Sequence, residues 1–501
     1  MTFNLVEKSI YDILKEQAAY HGNEEAVVDV SKRYTYAELD RVSDEYGCRF
    51  LQQGIRHGVR VALISNTSAD AIAVFYSLMK LGAVVTLLSP SLVEESMNHA
   101  LSVSDAEYII TTCKEIRASF DSTYRIFSVV DNGYEMLPEE KADRNEYDRI
   151  CMDTDVHSSG AVLFTSGSTS RPKAVFLDQF RLLNNAYAHR KFLEITPDDR
   201  FASALPIDHI LCIIINILTP FVSGAAVCIS RDKHTKNILD VIHREHCTVL
   251  CGVPTLYHAL ISRDDFSSYD VSSLRIGFTG GAAISAKLHS DIERMLGIML
   301  ISTLGQTETT GGFTMWDRSE TAEERCLSVG VPSYNVQIKL VNGEICVKGY
   351  LVSEGYLKQE EETAKLIDSD GWLHTGDLGT FDRKGLLYVT GRSKDIIIRG
   401  GENISANQVA GIIEECPGVG MCKVIGVPDE HRGEEICACV IRKDDTLTDA
   451  RIRDYVKSHL EYFKVPAYVV FLKEFPLTEN GKINSNKLKE IVSEKLNGVG
   501  L

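Results

Sequence analysis

The densest concentration of chemically useful side chains runs Thr165-Ser166-Gly167-Ser168-Thr169-Ser170-Arg171-Pro172-Lys173. Hydroxyls, a glycine, an arginine and a lysine stand there between two apolar runs, AVLFT (161–165) and AVFL (174–177). Both flanks read as buried strands, so the polar segment is expected to be a loop leaving a sheet. Hydroxyls and backbone N–H groups can surround phosphate oxygens, and Lys173 adds a mobile positive charge. The spacing is not that of a Walker A loop, whose G-x-x-x-x-G-K-[ST] pattern and following helix are missing. By itself the segment could also be a Ser/Thr-rich surface turn.

Other segments carry chemistry of the same kind. LGQTET (304–309) offers one carboxylate, Glu308, and HTGDLG (374–379) offers Asp377 in a turn. GRSKDIIIRGGENIS (391–405) contains Arg392, Lys394 and the pair Gly400-Gly401. In PLTENGKIN (476–484) the turn dipeptide Asn480-Gly481 sets Lys482 at the tip of a loop. Taken singly, Glu308 is a helix-start glutamate, Asp377 an Asx-turn aspartate, and Lys394 and Lys482 are solvated lysines.

Together and in this order, the five segments resemble the signatures of the adenylate-forming superfamily. That family comprises acyl-CoA synthetases, nonribosomal-peptide adenylation domains and firefly-type luciferases, and the resemblance spans nearly the whole chain. It implies an α/β and α+β fold: a large N-terminal adenylation part of layered sheets (1–391), a hinge (392–395) and a small mobile α+β lid (396–501). It also implies that a carboxylic acid attacks the α-phosphate of ATP, giving acyl-AMP and pyrophosphate, and that a thiol then captures the acyl group.

Bringing two anions together requires cations and aimed N–H donors where charge accumulates. The resemblance assigns Thr165, Ser166, Gly167, Ser168, Thr169 and Lys173 to the phosphates, with Thr307 as a further hydroxyl contact. Glu308 becomes the Mg²⁺ ligand, consistent with that ion's taste for one or two carboxylates beside phosphates and water. Gly280, Gly281 and Ala282 line the adenine and acyl pockets, where missing side chains let a flat ring reach backbone. Leu304 precedes Gly305 where relatives carry an aromatic ring, so a stacking contribution of about 0.5–1.5 kcal/mol is absent. Asp377 and Arg392 match the ribose ligands, and Lys394 the hinge. Gly400 and Gly401 match the loop along which a phosphopantetheine arm approaches. Lys482 is the expected principal catalytic residue and His209 the expected pocket-gating histidine. After His209 come Ile210, Leu211, Cys212 and Ile213, an apolar wall that disfavours an unpaired ammonium. An acyl or aryl acid is therefore expected, with CoA as acceptor and a carrier protein as the alternative. A catalytically silent nucleotide-binding relative is the contrasting class.

The elements that must position these residues are legible in outline. The 501-residue chain holds 44% apolar and 25% charged residues, an ordinary globular balance. Its formal charge of −17 argues against nucleic acid and anionic membranes as partners. Thirteen scattered cysteines without a C-x-x-C pair suit a reducing, cytoplasmic setting. Cys437 and Cys439 are expected on opposite faces of a strand. The first seventeen residues read as an amphipathic helix. Residues 211–229 read as a buried helix and a core strand broken near Pro220–Gly224, without a membrane span. From 25 to 150, and again from about 160 to 330, β-like runs alternate with helical patterns, predicting parallel sheets. After Gly330 the chain turns β-rich, and helices are predicted at 406–416 and 447–460.

Overall fold

The computed structural model describes residues 2–113, 124–129, 142–165, 172–230, 232–429, 431–478 and 481–498, with side chains to 496. Continuous apolar runs such as Val61–Ile64 and Val84–Leu88 cannot face water on either side, so they form central parallel strands covered by helices. Strands 125–128, 108–111, 60–64, 84–88 and 160–164 run parallel in that order, and 174–178 closes the edge antiparallel to 160–164. The two strands flanking the hydroxyl-rich loop are thus hydrogen-bonded neighbours, with Thr165 N donating to Lys173 O at 2.9 Å.

A second sheet has the order 299–302, 276–279, 249–252, 200–203, 226–229, 25–28, 33–35 and is parallel except at its last pair. Strand 25–28 joins this sheet through 226–229, although its sequence rhythm belongs with the first. The pairing partner lies about two hundred residues away, beyond what local periodicity can report.

Residues 211–229 form continuous helical turns through Ser223, then a strand Ala226–Ile229. Pro220 does not break the helix. Thr219 N donates to Ile214 O, five residues back, and Pro220 follows at the start of the next helical segment, where a missing N–H is tolerated. The break falls at Gly224, left-handed at φ 75°. At the N-terminus the helix runs only over Ile10–His21, started by a reciprocal cap between Ser9 and Asp12. The preceding segment lies non-helical across the fold, with Val6 N donating to Asn184 Oδ1 at 2.7 Å.

Beyond Gly330, strands 336–341, 344–349, 373–381 and 387–392 make an antiparallel sheet over Phe313, Ile345, Val347, Leu373 and Leu387. From Ile396 a smaller sheet takes over, with strands 402–405, 396–399, 433–442 and 419–429 and with 468–472 parallel to 433–442. Helices Ala406–Glu415, Asp449–His459 and Ser485–Gly498 accompany it. Cys437 and Cys439 share one face of strand 433–442 while Ala438 and Val440 occupy the other, because side chains alternate with period two. All thirteen cysteines are free thiols. No described helix is long and apolar enough to cross a membrane.

Candidate active site

Lys482 defines the site because it crosses between the two parts of the chain. Its loop is closed by Thr478 N donating to Lys482 O at 2.7 Å and by a bridge between Leu477 and Ile483. Thr255 Oγ1, at the start of helix Pro254–Ile261 in the second sheet's layer, donates to Gly481 O at 2.5 Å. The ammonium thereby reaches the turn after strand 276–279. A Cβ placed on Gly281 would stand 2.9 Å from Lys482 Cε and 3.2 Å from Nζ. Burial holds the ammonium below the ordinary lysine range, Arg392 pushes the same way, and Glu308 opposes them. One lysine therefore feels both the predicted ribose and metal groups.

Gly281 adopts φ +77°, a region that costs a residue with a Cβ about 1–2 kcal/mol. Gly281→Ala adds that strain to a clash with the lysine stem. Acyl-AMP formation is expected to fall by about tenfold or more, with thioester formation from supplied acyl-AMP spared. Half-reaction kinetics check this, and equal losses in both steps would refute it.

Asp377 and Arg392 face each other across strands 373–381 and 387–392. Arg392 Nε donates to Asp377 Oδ1 at 2.6 Å. Burial raises the Asp377 carboxyl while the guanidinium opposes the rise. Among the described residues no other hydrogen bond occupies Asp377 Oδ2 or the terminal nitrogens of Arg392, leaving acceptor and donors for a vicinal diol.

Glu308 sits in a short 3₁₀ turn, Thr307–Thr309, and is buried. Tyr356 OH donates to its Oε1 at 2.7 Å. Among the described residues no lysine or arginine forms an ion pair with it, so a buried carboxylate keeps one oxygen for a cation. Thr310, next but one, is held at φ 52°, unusual for a β-branched residue. Thr310 Oγ1 donates to Leu351 O, and Asn185 Nδ2 donates to Thr310 O, both at 2.6 Å. These bonds pin the strained turn that aims Glu308.

Lys173 lies at the foot of the predicted phosphate loop, 2.5 Å from Glu362 Oε2 and with Nζ 4.5 Å from the centre of the Tyr356 ring. Its hydrogen bond, then that of Lys365, pulls the Glu362 carboxyl down to about 2. Burial and then Glu308 keep the Tyr356 phenol protonated. A chain Glu362–Lys173–Tyr356–Glu308 thus joins the phosphate loop to the candidate metal ligand. Ser166, Gly167, Ser168 and Thr169 lie outside the described residues.

His209 is pulled down to about 3 by burial and then by the charge of Lys482. Leu211 N donates to its Nδ1 at 3.2 Å, so the neutral ring carries its proton on Nε2. Beyond it Ile210, Leu211, Cys212 and Ile213 are buried, as expected of an apolar wall. A Cβ on Gly311 would meet Ile214 Cγ1 at 3.4 Å and Ile210 Cγ1 at 3.6 Å, which sets this wall against the strand after Glu308.

Some predicted residues owe their type to the fold. Gly305 pairs with Gly312, and a Cβ there would lie 2.2 Å from Gly311 O, so backbone approach demands the glycine. Leu304 packs on the core around Phe313 and Leu387, and Gly280 stands beside Thr303. Ala282 and Thr307 occupy the turns next to Gly281 and Glu308. Gly400 and Gly401 have φ 59° and 92° at a two-residue hairpin between strands 396–399 and 402–405. Gly400 N donates to Arg432 O, a bond within the C-terminal part. Lys394 is exposed in the turn 393–395 that joins the two parts. Sequence reasoning missed Tyr356, Glu362, Thr255, Thr310 and Ile214. Each reaches the site from a segment whose local pattern reads as ordinary loop or core.

Residues 14–357 match the family model for the AMP-binding enzyme, and residues 408–482 match that for the AMP-binding enzyme C-terminal domain. The chain belongs to this adenylate-forming family of AMP-binding enzymes. It is an enzyme of the AMP-forming ligase kind, acting on a carboxylic acid. A putative acyl-CoA synthetase, YngI, from Bacillus subtilis (strain 168) is 28% identical, with 98% of each chain covered. A 3-[(3aS,4S,7aS)-7a-methyl-1,5-dioxo-octahydro-1H-inden-4-yl]propanoyl:CoA ligase from Rhodococcus jostii (strain RHA1) is 31% identical, over 95% of this chain and 97% of the relative. The fold superposes on the anthranilate CoA ligase AuaEII, solved with anthranoyl-AMP, at TM-score 0.86 and 23% identity, covering 98% of both chains.

Proposed function

We propose that the protein activates a carboxylic acid bearing an uncharged acyl or aryl group with ATP and transfers the acyl group to CoA. The observation that carries this reading is Lys482 seated against Gly281 within electrostatic reach of Arg392, Glu308 and His209. This arrangement suits the first half-reaction. The lysine neutralises the approach of carboxylate to α-phosphate, and Asp377 with Arg392 grips the ribose. The loop 165–173 takes the phosphates, Lys173 exchanging Glu362 for phosphate oxygens. Glu308, held by Tyr356, would hold Mg²⁺, which would supply charge neutralisation on the phosphate oxygens. Neutral His209 stands before the apolar wall and offers an N–H without bringing a charge into the acid's pocket. The CoA ligases among the relatives support CoA as acceptor, and the free thiols suit a cytoplasmic setting. A stand-alone enzyme that loads a carrier protein is the second reading, favoured by the exposed Gly400-Gly401 hairpin, which admits a slender pantetheine arm from either source.

For the second half-reaction the same reading requires the part from 396 onward to swing about residues 392–395, withdrawing Lys482 and presenting Gly400-Gly401. ATP–pyrophosphate exchange over a panel of acids tests the first step. Adding CoA or a carrier protein then identifies the acceptor. ATP binding without turnover of any acid would overturn the proposal. Lys394→Pro fixes φ at the pivot and is expected to slow thioester formation more than adenylation; unchanged thioester turnover would remove the hinge assignment.

A further inference from the structure

Away from the nucleotide groups, the antiparallel sheet brings three metal-ligating atoms together. Cys346 and His374 are register partners on neighbouring strands, and Glu344, two residues before Cys346, shares its face. His374 Nδ1 lies 2.8 Å from Glu344 Oε2 and 3.5 Å from Cys346 Sγ, and all three ligand atoms fall within 4.8 Å of one another. We propose that Glu344, Cys346 and His374 form a binding site for a zinc-class divalent cation, with its fourth position open to solvent.

The distances fit that ion. Metal bonds of about 2.3 Å to sulfur and about 2.0–2.1 Å to nitrogen place S and N about 3.6 Å apart at tetrahedral angles, against 3.5 Å here. Glu344 Oε2 needs to retreat from Nδ1 by about half an ångström, and its side chain, 27% exposed, has room to do so. The imidazole is also set up from behind: Asp368 Oδ2 stands 3.7 Å from His374 Nε2, the place of the carboxylate that orients a zinc-bound histidine. Asp368 is itself fixed through Oδ1, which accepts from Trp372 N and Asp370 N. A mixed S, N and O set selects against Mg²⁺, which prefers oxygen alone, so the ion required for ATP chemistry does not compete here. On metal binding the Cys346 thiol releases its proton to the buffer. Glu344 Oε1 accepts from Gly376 N at 2.9 Å, one residue before Asp377, so the site adjoins the nucleotide groups without using them.

The test is a Co²⁺ titration of the chelator-stripped full-length enzyme followed by absorption. One equivalent should give a near-ultraviolet thiolate-to-metal band with visible bands of tetrahedral cobalt, displaced by Zn²⁺. Cys346→Ser should lose the band while keeping acyl-AMP formation, which shows that it is folded. Asp368→Asn, which retains Oδ1, should weaken the metal by about 10–100-fold. Cys326→Ser, altering the half-buried thiol 3.3 Å from His289 Nδ1, should leave the band intact. Absence of the band, its survival in Cys346→Ser or its loss in Cys326→Ser would overturn the proposal, leaving His374–Glu344 as a plain hydrogen-bonded pair beside a thiol.

Discussion

Lys482→Ala should reduce acyl-AMP formation by at least the order of 10²–10³, the range for removing one preorganised group that meets developing charge, while thioester formation from supplied acyl-AMP continues. The asymmetry follows from where the lysine sits. It belongs to the C-terminal part, yet its ammonium rests against Gly281 of the large part, so on the proposed function it would serve only the step during which the two parts stand this way. Stability should move the other way from activity. Burial and Arg392 both oppose the charge of Lys482 and only Glu308 favours it, so the free enzyme gains little from this ammonium. Lys482→Ala should therefore melt at the wild-type temperature or above. A lysine held below its ordinary range binds its proton less tightly when seated, so raising the pH toward that range makes seating easier. ATP supplies the missing counter-charge. Pyrophosphate exchange, single-turnover thioester formation and thermal melting of one variant test the three statements. Loss of both half-reactions together, or a markedly lowered melting temperature, would contradict them.

How far the sequence carried this site depends on how local each signal was. The strands around the phosphate loop were legible because AVLF and AVFL are continuous apolar runs bounded by polar residues. Asp377 and Arg392 were legible as types, and the antiparallel register then explains why they stand fifteen residues apart: they are partners across one pair of strands. Tyr356 was not legible. It becomes a functional neighbour only because a bridge between Val175 and Tyr356 lays its segment along the edge strand beside Lys173. Strand 25–28 failed for the same reason, since a partner about two hundred residues away leaves no mark on local periodicity, whereas the break expected near Pro220–Gly224 does fall there, at Gly224. The hairpin glycines show the converse. Gly400 and Gly401 were assigned by resemblance to the pantetheine path, and their positive φ values alone would justify the residue type, so the turn by itself accounts for glycine there.

Glu308→Gln isolates the metal from the lysine. The substitution preserves shape, and the amide oxygen can still accept from Tyr356 OH, so the turn pinned by Thr310, Asn185 and Leu351 should survive. What is lost is a buried negative charge that no described lysine or arginine pairs with, the feature that fits a divalent ion on phosphate oxygens. Acyl-AMP formation should fall by the order of 10²–10³, and the Mg²⁺ concentration needed for half-maximal rate should rise. Lys482→Ala should share the first effect without the second, because on the proposed function its ammonium would meet the substrate rather than the ion. Tyr356→Phe supplies the graded control: it removes one hydrogen bond of about 1.5–3 kcal/mol to a charged group but keeps the carboxylate, so its loss should be smaller and its Mg²⁺ requirement nearer to wild type. Measuring pyrophosphate exchange against Mg²⁺ for the three variants separates the roles. An unchanged Mg²⁺ requirement in Glu308→Gln would mean that this carboxylate orders the turn and that the ion is held elsewhere.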